Sequence, residues 1–319
     1  MAILLTGAWA LDTEPGRAEQ ARWLHALQAV LPDEEWLLQA PHTAEQAQVV
    51  EVAVVANPAP GVLRQLPRLQ LIQSLWAGVD RLLQDDTLPS AVPLCRMVDP
   101  VMTAAMVQTG LWAVLGLHRH FFQVQNQQAQ QQWRQPPQRR ADEWRVLVLG
   151  MGELGAALAT QLRAQDYRVA GYSRRPHGVA GVAQVQGDEA LLQALAEADT
   201  LVNLLPLTPA TQHFFNAERL AQCRAGSTLV NLARGAHVDE AALLAALDRG
   251  HIHHAVLDVF QTEPLPQSHA FWRHPRVTVL PHTAAQTDPR SAAQVVAANV
   301  RALRTGQALM HRVDRGQRY

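Results

Sequence analysis

Apolar residues recur along the chain in two rhythms. Ala2–Leu5, Val49–Val55 and Leu69–Leu75 are short, largely apolar runs that read as buried strands, and Glu19–Leu31 carries apolar side chains at helical spacing. Strands alternating with helices predict parallel βαβ units. Over Met102–Leu117 (MTAAMVQTGLWAVLGL) the pattern turns mostly apolar, which predicts a long buried helix. From Arg145 the alternation restarts more strongly. RVLVLG, YRVAGYS, DTLVNLLP, STLVNLA, HHAVLDVF and VTVLPH read as strands covered on both faces, as in a doubly wound sheet. A last helix over Ser291–Leu303 can return to the N-terminal body, making that domain discontinuous. The expected fold is α/β with two Rossmann-like doubly wound domains, one over 1–98 with 286–319 and one over 99–285.

The halves are joined by FFQVQNQQAQQQWRQPPQRRADEW, residues 121–144, where glutamine dominates. A low-complexity linker is one reading. Glutamine is a fair helix former, however, and Phe121, Phe122 and Trp133 are unusual in a solvated tether. Compact domains rarely carry about 20 structureless residues, so an arm over 118–142 that packs on a second subunit is favoured.

Composition narrows the classes. A chain of 319 residues, 48% of them hydrophobic, is long enough for two cores, and a net charge of -1 without charged blocks speaks against a nucleic-acid groove or a membrane surface. There is no lysine, which excludes Schiff-base and P-loop lysine chemistry. Cys95 and Cys223 stand apart from any metal-ligand spacing and read as reduced, packed thiols of a cytoplasmic protein. The start, MAILLTGAWALDTEPG, has no basic leader region and reads as a strand, and no apolar run is expected to span a membrane. HIHHA (residues 251–255) and the pair His118 and His120 read as solvated turns, with no metal site expected.

VLVLGMGELGAALATQL sets Gly150, Gly152 and Gly155 in G-x-G-x-x-G spacing, after a strand and at the start of a helix. These glycines suit a tight turn, close approach to a pyrophosphate, and close helix–strand packing. The next strand ends in VAGYSRR, where NAD-binding chains usually carry an acidic residue. Ser173, Arg174 and Arg175 stand there instead. A hydroxyl and a guanidinium suit a 2′-phosphate, which favours NADPH over NADH, although two solvated arginines would give the same letters.

Three strand ends carry further chemistry. Arg234 follows STLVNLA, Asp258 and Glu263 lie in AVLDVFQTEPLP, and His282 follows VTVL. In an open α/β sheet such ends converge at the ligand crevice. Hydride transfer to a 2-keto acid needs a cation for the carboxylate and carbonyl, which Arg234 supplies, and a proton donor, which His282 supplies. Glu263 would hold the imidazole and favour its charged form.

GMGELG, LLPLTPAT, NLARGAHVDEAALLAALDRG, AVLDVFQTEPLP and LPHTAA occur in that order, and with them the chain resembles the D-isomer-specific 2-hydroxyacid dehydrogenase family over nearly its whole length. YSRR, NLARG, PHTAA and the terminal VDRGQRY are most similar to its bacterial glyoxylate/hydroxypyruvate reductases. The resemblance implies an Arg234–Glu263–His282 triad, with Asp258 beside the nicotinamide, and a homodimer. It also implies a flavodoxin-like N-terminal substrate domain completed by the last helix. Glu153, Leu154, Leu205, Pro206 and Ala233 join the glycines, Ser173, both arginines, Asp258 and His282 in the expected cofactor-binding set. SLWAGVD matches the substrate loop, making Trp76, Ala77, Gly78 and Val79 expected substrate contacts beside Arg234 and His282. The bulk of Trp76 either narrows the pocket toward glyoxylate or hydroxypyruvate or packs away from it. Trp133 matches an arm tryptophan that reaches the partner's active site in related reductases. The alternatives are a dehydrogenase for a bulkier or phosphorylated D-2-hydroxy acid and a nucleotide-responsive binding protein on the same fold.

Overall fold

A computed structural model describes residues 2–176 and 178–317; the last two residues of the VDRGQRY segment lie outside the described residues. The chain divides into two units, Met1–Met102 with Thr287–Tyr319, and Thr103–Gln286.

The first unit begins with β1 (Ala2–Gly7), α1 (Glu14–Val30), β2 (Glu35–Leu37), α2 (Ala44–Val49), β3 (Val50–Ala56), β4 (Leu71–Ser74) and β5 (Leu94–Cys95). The strands pair in parallel in the order β2-β1-β3-β4-β5, the flavodoxin-like arrangement. Every residue of β3 is buried, so its run, apolar except for Glu51, fits a strand covered on both faces. Helix α1 starts earlier than apolar spacing alone predicts, because the Thr13 hydroxyl accepts the Gly16 N–H at 3.2 Å and Pro15 suits the first turn.

Helix α3 (Pro100–His118) follows, capped by Asp99, whose carboxylate accepts the N–H groups of Val101 and Met102. By length and composition it is apolar enough to cross a membrane, which corrects the reading that no run reaches that length. Its stripe of Met106, Val107, Gly110, Ala113, Val114 and Leu117 is nevertheless buried, as in a core helix. The glutamine-rich stretch forms α4 (Phe121–Ala129) before becoming irregular. Phe122 is buried edge-on to Trp112 and stacked on His254, while Trp133 is 94% exposed.

The second unit continues with β6 (Arg145–Leu149), α5 (Glu153–Ala164), β7 (Arg168–Tyr172), β8 (Ala183–Val185), α6 (Asp188–Glu197), β9 (Thr200–Asn203), α7 (Ala217–Gln222), β10 (Ser227–Asn231), α8 (Glu240–Asp248), β11 (Ile252–Leu257) and β12 (Val277–Val279). The all-parallel order β12-β11-β10-β9-β6-β7-β8 reverses direction between β6 and β9, creating the switch point at which such sheets bind nucleotides. β11 begins at Ile252, one residue before the expected HHAVLDVF run, so most of HIHHA is strand rather than a solvated turn. His254 is buried there and hydrogen-bonded to Thr278 at 2.9 Å. His118 is also buried, between the Tyr167 hydroxyl and the Arg139 carbonyl, both at 2.9 Å.

The chain then returns to the first unit as α9 (Pro289–Arg304), which packs on α1 through Ala292, Ala293, Val296, Ala297 and Val300. Arg304 ties its last turn to Glu34 and to the buried Glu51 of β3.

Candidate active site

The expected residues of the second unit gather at the carboxyl ends of its strands. After β6 the chain turns at Gly150 with φ +97°, and its N–H donates to the Tyr172 carbonyl at 2.9 Å. A Cβ on Gly150 would lie 2.5 Å from the Leu204 carbonyl oxygen, and one on Gly155 would lie 1.9 Å from the Gly150 oxygen. Only glycine permits this packing of turn, helix and neighbouring strand. Gly152 differs: its Cβ position meets nothing within 4 Å, and it starts α5 without a side-chain cap. Glu153 and Leu154 follow in the first turn, whose amides no side chain of the cap residue satisfies, and the positive dipole end of such a helix suits a phosphate.

Leu149 and Tyr172 are register partners, so Ser173, Arg174 and Arg175 emerge beside the glycine turn. Both arginines are exposed. The Ser173 hydroxyl donates to the Arg175 carbonyl at 2.5 Å, and it has one proton to give, so it must rotate before donating to a ligand.

Arg234 follows β10 in extended backbone, half-buried, and donates from Nη1 to the Ala233 carbonyl at 2.8 Å. The next residue, Gly235, lies so close to the following loop that a Cβ would sit 1.9 Å from the Phe260 carbonyl carbon. The Arg234 turn is thereby pressed onto the loop leading to Glu263. Glu263 accepts the Phe260 N–H at 2.9 Å with one carboxylate oxygen and holds His282 Nδ1 at 2.7 Å with the other. The His282 side chain is 53% exposed. Its backbone takes φ +53°, a left-handed conformation that non-glycine residues seldom adopt and histidine enters more readily than most, and its N–H donates to the Asp258 carbonyl at 2.9 Å.

Asp258 is buried, and its carboxylate accepts the N–H groups of Thr283 at 2.7 Å and Ala284 at 3.1 Å. Burial pushes its carboxyl above the ordinary range, against the downward pull of those two amides and the His282 ring, while Glu263 adds to the rise. Asp258 thus organises the backbone that carries His282. With Nδ1 taken by Glu263, Nε2 is the imidazole nitrogen available to a ligand.

Residues 111–284 match the model of the D-isomer-specific 2-hydroxyacid dehydrogenase, NAD-binding domain. A glyoxylate/hydroxypyruvate reductase A from Serratia proteamaculans is 40% identical over 88% of this chain and 95% of its own. The chain belongs to the D-isomer-specific 2-hydroxyacid dehydrogenase family. Two solved structures of such dehydrogenases overlay on it throughout. One, from Xanthobacter autotrophicus Py2 in complex with NADPH and MES, has a TM-score of 0.92 at 38% identity and covers 100% of this chain and 99% of its own. The other is the NADPH-dependent glyoxylate/hydroxypyruvate reductase of Sinorhizobium meliloti with NADP and sulfate, with a TM-score of 0.90 at 31% identity over 100% and 99%.

The Trp76–Val79 segment, expected to be a substrate loop, lies in the first unit, just after β4. The Ser74 hydroxyl clamps its start, accepting the Trp76 N–H and donating to the Trp76 carbonyl, both at 3.0 Å. The Trp76 ring packs edge-on to the buried Trp23, with centroids 6.1 Å apart, within that unit's own core. Ala77 and Gly78 are half-buried and Val79 is buried.

Sequence reasoning passed over Gly235, although it stands in the quoted NLARG, because only the backbone shows what lies against it. It also passed over Asn203, Asn231 and His237, which are wholly buried beneath Leu205, Pro206 and Ala233. A signal existed: the tetrapeptide TLVN occurs at both 200–203 and 228–231.

Proposed function

We propose that the protein is a reductase that uses NADPH to convert a small 2-keto acid, glyoxylate or hydroxypyruvate, into the D-2-hydroxy acid. The observation that carries this reading is the His282–Glu263 pair, an accessible imidazole held at Nδ1 by a carboxylate in a dehydrogenase of this family. The names of the Serratia and Sinorhizobium proteins support the substrate class, and the NADPH and NADP of the two solved structures support the cofactor.

The residues present fit the nucleotide. Gly150, Gly152, Glu153, Leu154 and Gly155 supply an open helix start for its pyrophosphate. Ser173 with Arg174 or Arg175 meets the 2′-phosphate, and NADH, lacking that group, binds more weakly. Leu205, Pro206 and Ala233 line the nicotinamide end, and Asp258 acts there by holding the loop that carries His282. When bound, the nucleotide supplies a hydride to the carbonyl carbon. Arg234 pairs with the keto acid's carboxylate and polarises its carbonyl, and His282 Nε2 gives the proton taken up by the carbonyl oxygen. Glu263 fixes the orientation of the ring through Nδ1. Within the first unit, the amides of Gly78 and Val79 suit a carboxylate, and Trp76 and Ala77 shape that loop. Replacing His282 by alanine lowers turnover by roughly 100-fold or more while NADPH binding stays within about twofold. Near-normal turnover in that variant overturns the assignment.

The working form is a homodimer built through the arm. Trp112, Phe121, Val124 and Trp133 all present large apolar surfaces to solvent in the single chain, and a second copy would cover them. Trp133 would then reach toward the partner's active site. The buried free thiols of Cys95 and Cys223 support a cytoplasmic location.

A further inference from the structure

Asn203 closes β9 and Asn231 closes β10, and the two are register partners on adjacent parallel strands. Their side chains meet in the sheet interior, where both residues are 0% exposed. His237, also 0% exposed, comes from the turn just after Arg234 and completes the cluster. Buried amides and imidazoles are costly unless every polar atom finds a partner, and here the partners are the active-site loops. Asn203 Nδ2 donates to Asn231 Oδ1 at 2.9 Å and to His237 Nδ1 at 3.0 Å. Since Nδ1 accepts, the ring proton sits on Nε2, which donates to the Pro206 carbonyl at 3.3 Å. Asn203 Oδ1 accepts the Leu205 N–H at 3.2 Å. Asn231 Oδ1 accepts the Ala233 N–H at 3.3 Å, and Asn231 Nδ2 donates to the Arg234 carbonyl at 3.0 Å.

We propose that Asn203, Asn231 and His237 form a buried positioning network that sets the loop at Leu205–Pro206 and the loop at Ala233–Arg234 relative to one another. This inference rests on the functional reading above and deepens it. None of the three side chains touches substrate or nucleotide; each acts through the backbone it holds. The network has two arms. Nε2–H of His237 holds the Pro206 loop, on which nucleotide binding depends. Nδ2 of Asn231 holds the Arg234 carbonyl, on which the placement of the keto acid depends. An apolar trio of similar size would fill the same space but leave both loops free to drift.

The two arms are separable by mutation. His237→Asn offers an acceptor near the Nδ1 position but loses the donor to Pro206, whereas His237→Gln carries an N–H near the Nε2 position. Asn231→Ala loses the contact to Arg234. Full-length variants are compared with wild type by NADPH fluorescence titration, glyoxylate kinetics and thermal melting. H237N is expected to raise the NADPH Kd roughly five- to tenfold with little change in the glyoxylate KM, and H237Q to restore most of the affinity. N231A, which also frees the Ala233 N–H of the nicotinamide-lining loop, is expected to raise the glyoxylate KM by a similar factor with a smaller rise in the NADPH Kd. If N231A does not fold, N231S carries the same comparison. If H237N does not fold, H237Q against wild type carries the other arm, and the inference requires near-wild-type NADPH affinity in H237Q. A lowered melting temperature with Kd and KM both unmoved, or the same shifts in both arms, overturns the inference. If wild type itself consumes no NADPH with any 2-keto acid, the functional reading fails and takes this inference with it; an active wild type without the split removes the inference alone.

Discussion

His282 can deliver a proton in a defined direction only if its other ring nitrogen is occupied. Glu263 provides this at 2.7 Å, and Asp258 fixes the left-handed backbone beneath the ring from two sides, through its carbonyl and its carboxylate. Glu263→Gln tests that arrangement, because a neutral amide of the same shape cannot give the ring the same charge-assisted hydrogen bond. The variant is expected to slow the reductive step by roughly tenfold or more with NADPH affinity kept, read by single-turnover oxidation of NADPH, and an unchanged rate counts against the role given to Glu263. At this scale the sequence was legible where a residue type announces its chemistry. Arginine, glutamate and histidine after successive strands could be read together because one reaction needs all three. Asn203 and Asn231 announce nothing singly; their meaning lies in the register that sets one against the other.

Among the elements, the long apolar strands and the glycine turn were readable because burial on both faces leaves a continuous apolar trace. The short strands β2, β5 and β8 carry too few residues for such a trace, and β2 and β8 are partly exposed. Helix α4 was hidden by its glutamines, and it is the burial of Phe122 on His254 and Trp112 that docks it. The burial of HIHHA was misread for a related reason. Histidine looks solvated in a sequence, yet His254 sits in the core, where burial first, then the charges of His253, His274 and Arg276, lower its pKa to about 4. An unfolded histidine titrates near 6.5, so between about 6.5 and about 4 the unfolded chain binds more protons. The stability contributed by neutral His254 is present above that window and lost as pH falls through it, at up to about 1.4 kcal/mol per pH unit. His254→Gln, which keeps a polar group for Thr278, is expected to flatten the fall in urea-unfolding free energy over this range by about one proton. An unchanged slope would show that His254 takes no part in the acid sensitivity.

Each of the two units of the molecule is an open parallel sheet with its own cores, and the nucleotide chemistry lies in the second. What neither sheet explains is the exposed apolar surface of the arm. If a second copy covers it, Phe121→Arg with Val124→Arg should convert a species of twice the chain mass into one of single mass by light scattering, with the far-ultraviolet circular dichroism kept. A wild-type protein of single mass would remove the dimer. The open glycine turn, YSRR and the His282–Glu263 pair are together proposed to make an NADPH-dependent 2-keto acid reductase. Their joint function is tested by kcat/KM for glyoxylate and hydroxypyruvate with each nicotinamide cofactor, followed by absorbance on the wild-type protein. Reduction of both acids is expected, with NADPH preferred over NADH by about tenfold or more, as for a charge-assisted phosphate contact. No reduction of either acid, or equal or better efficiency with NADH, would contradict this proposal.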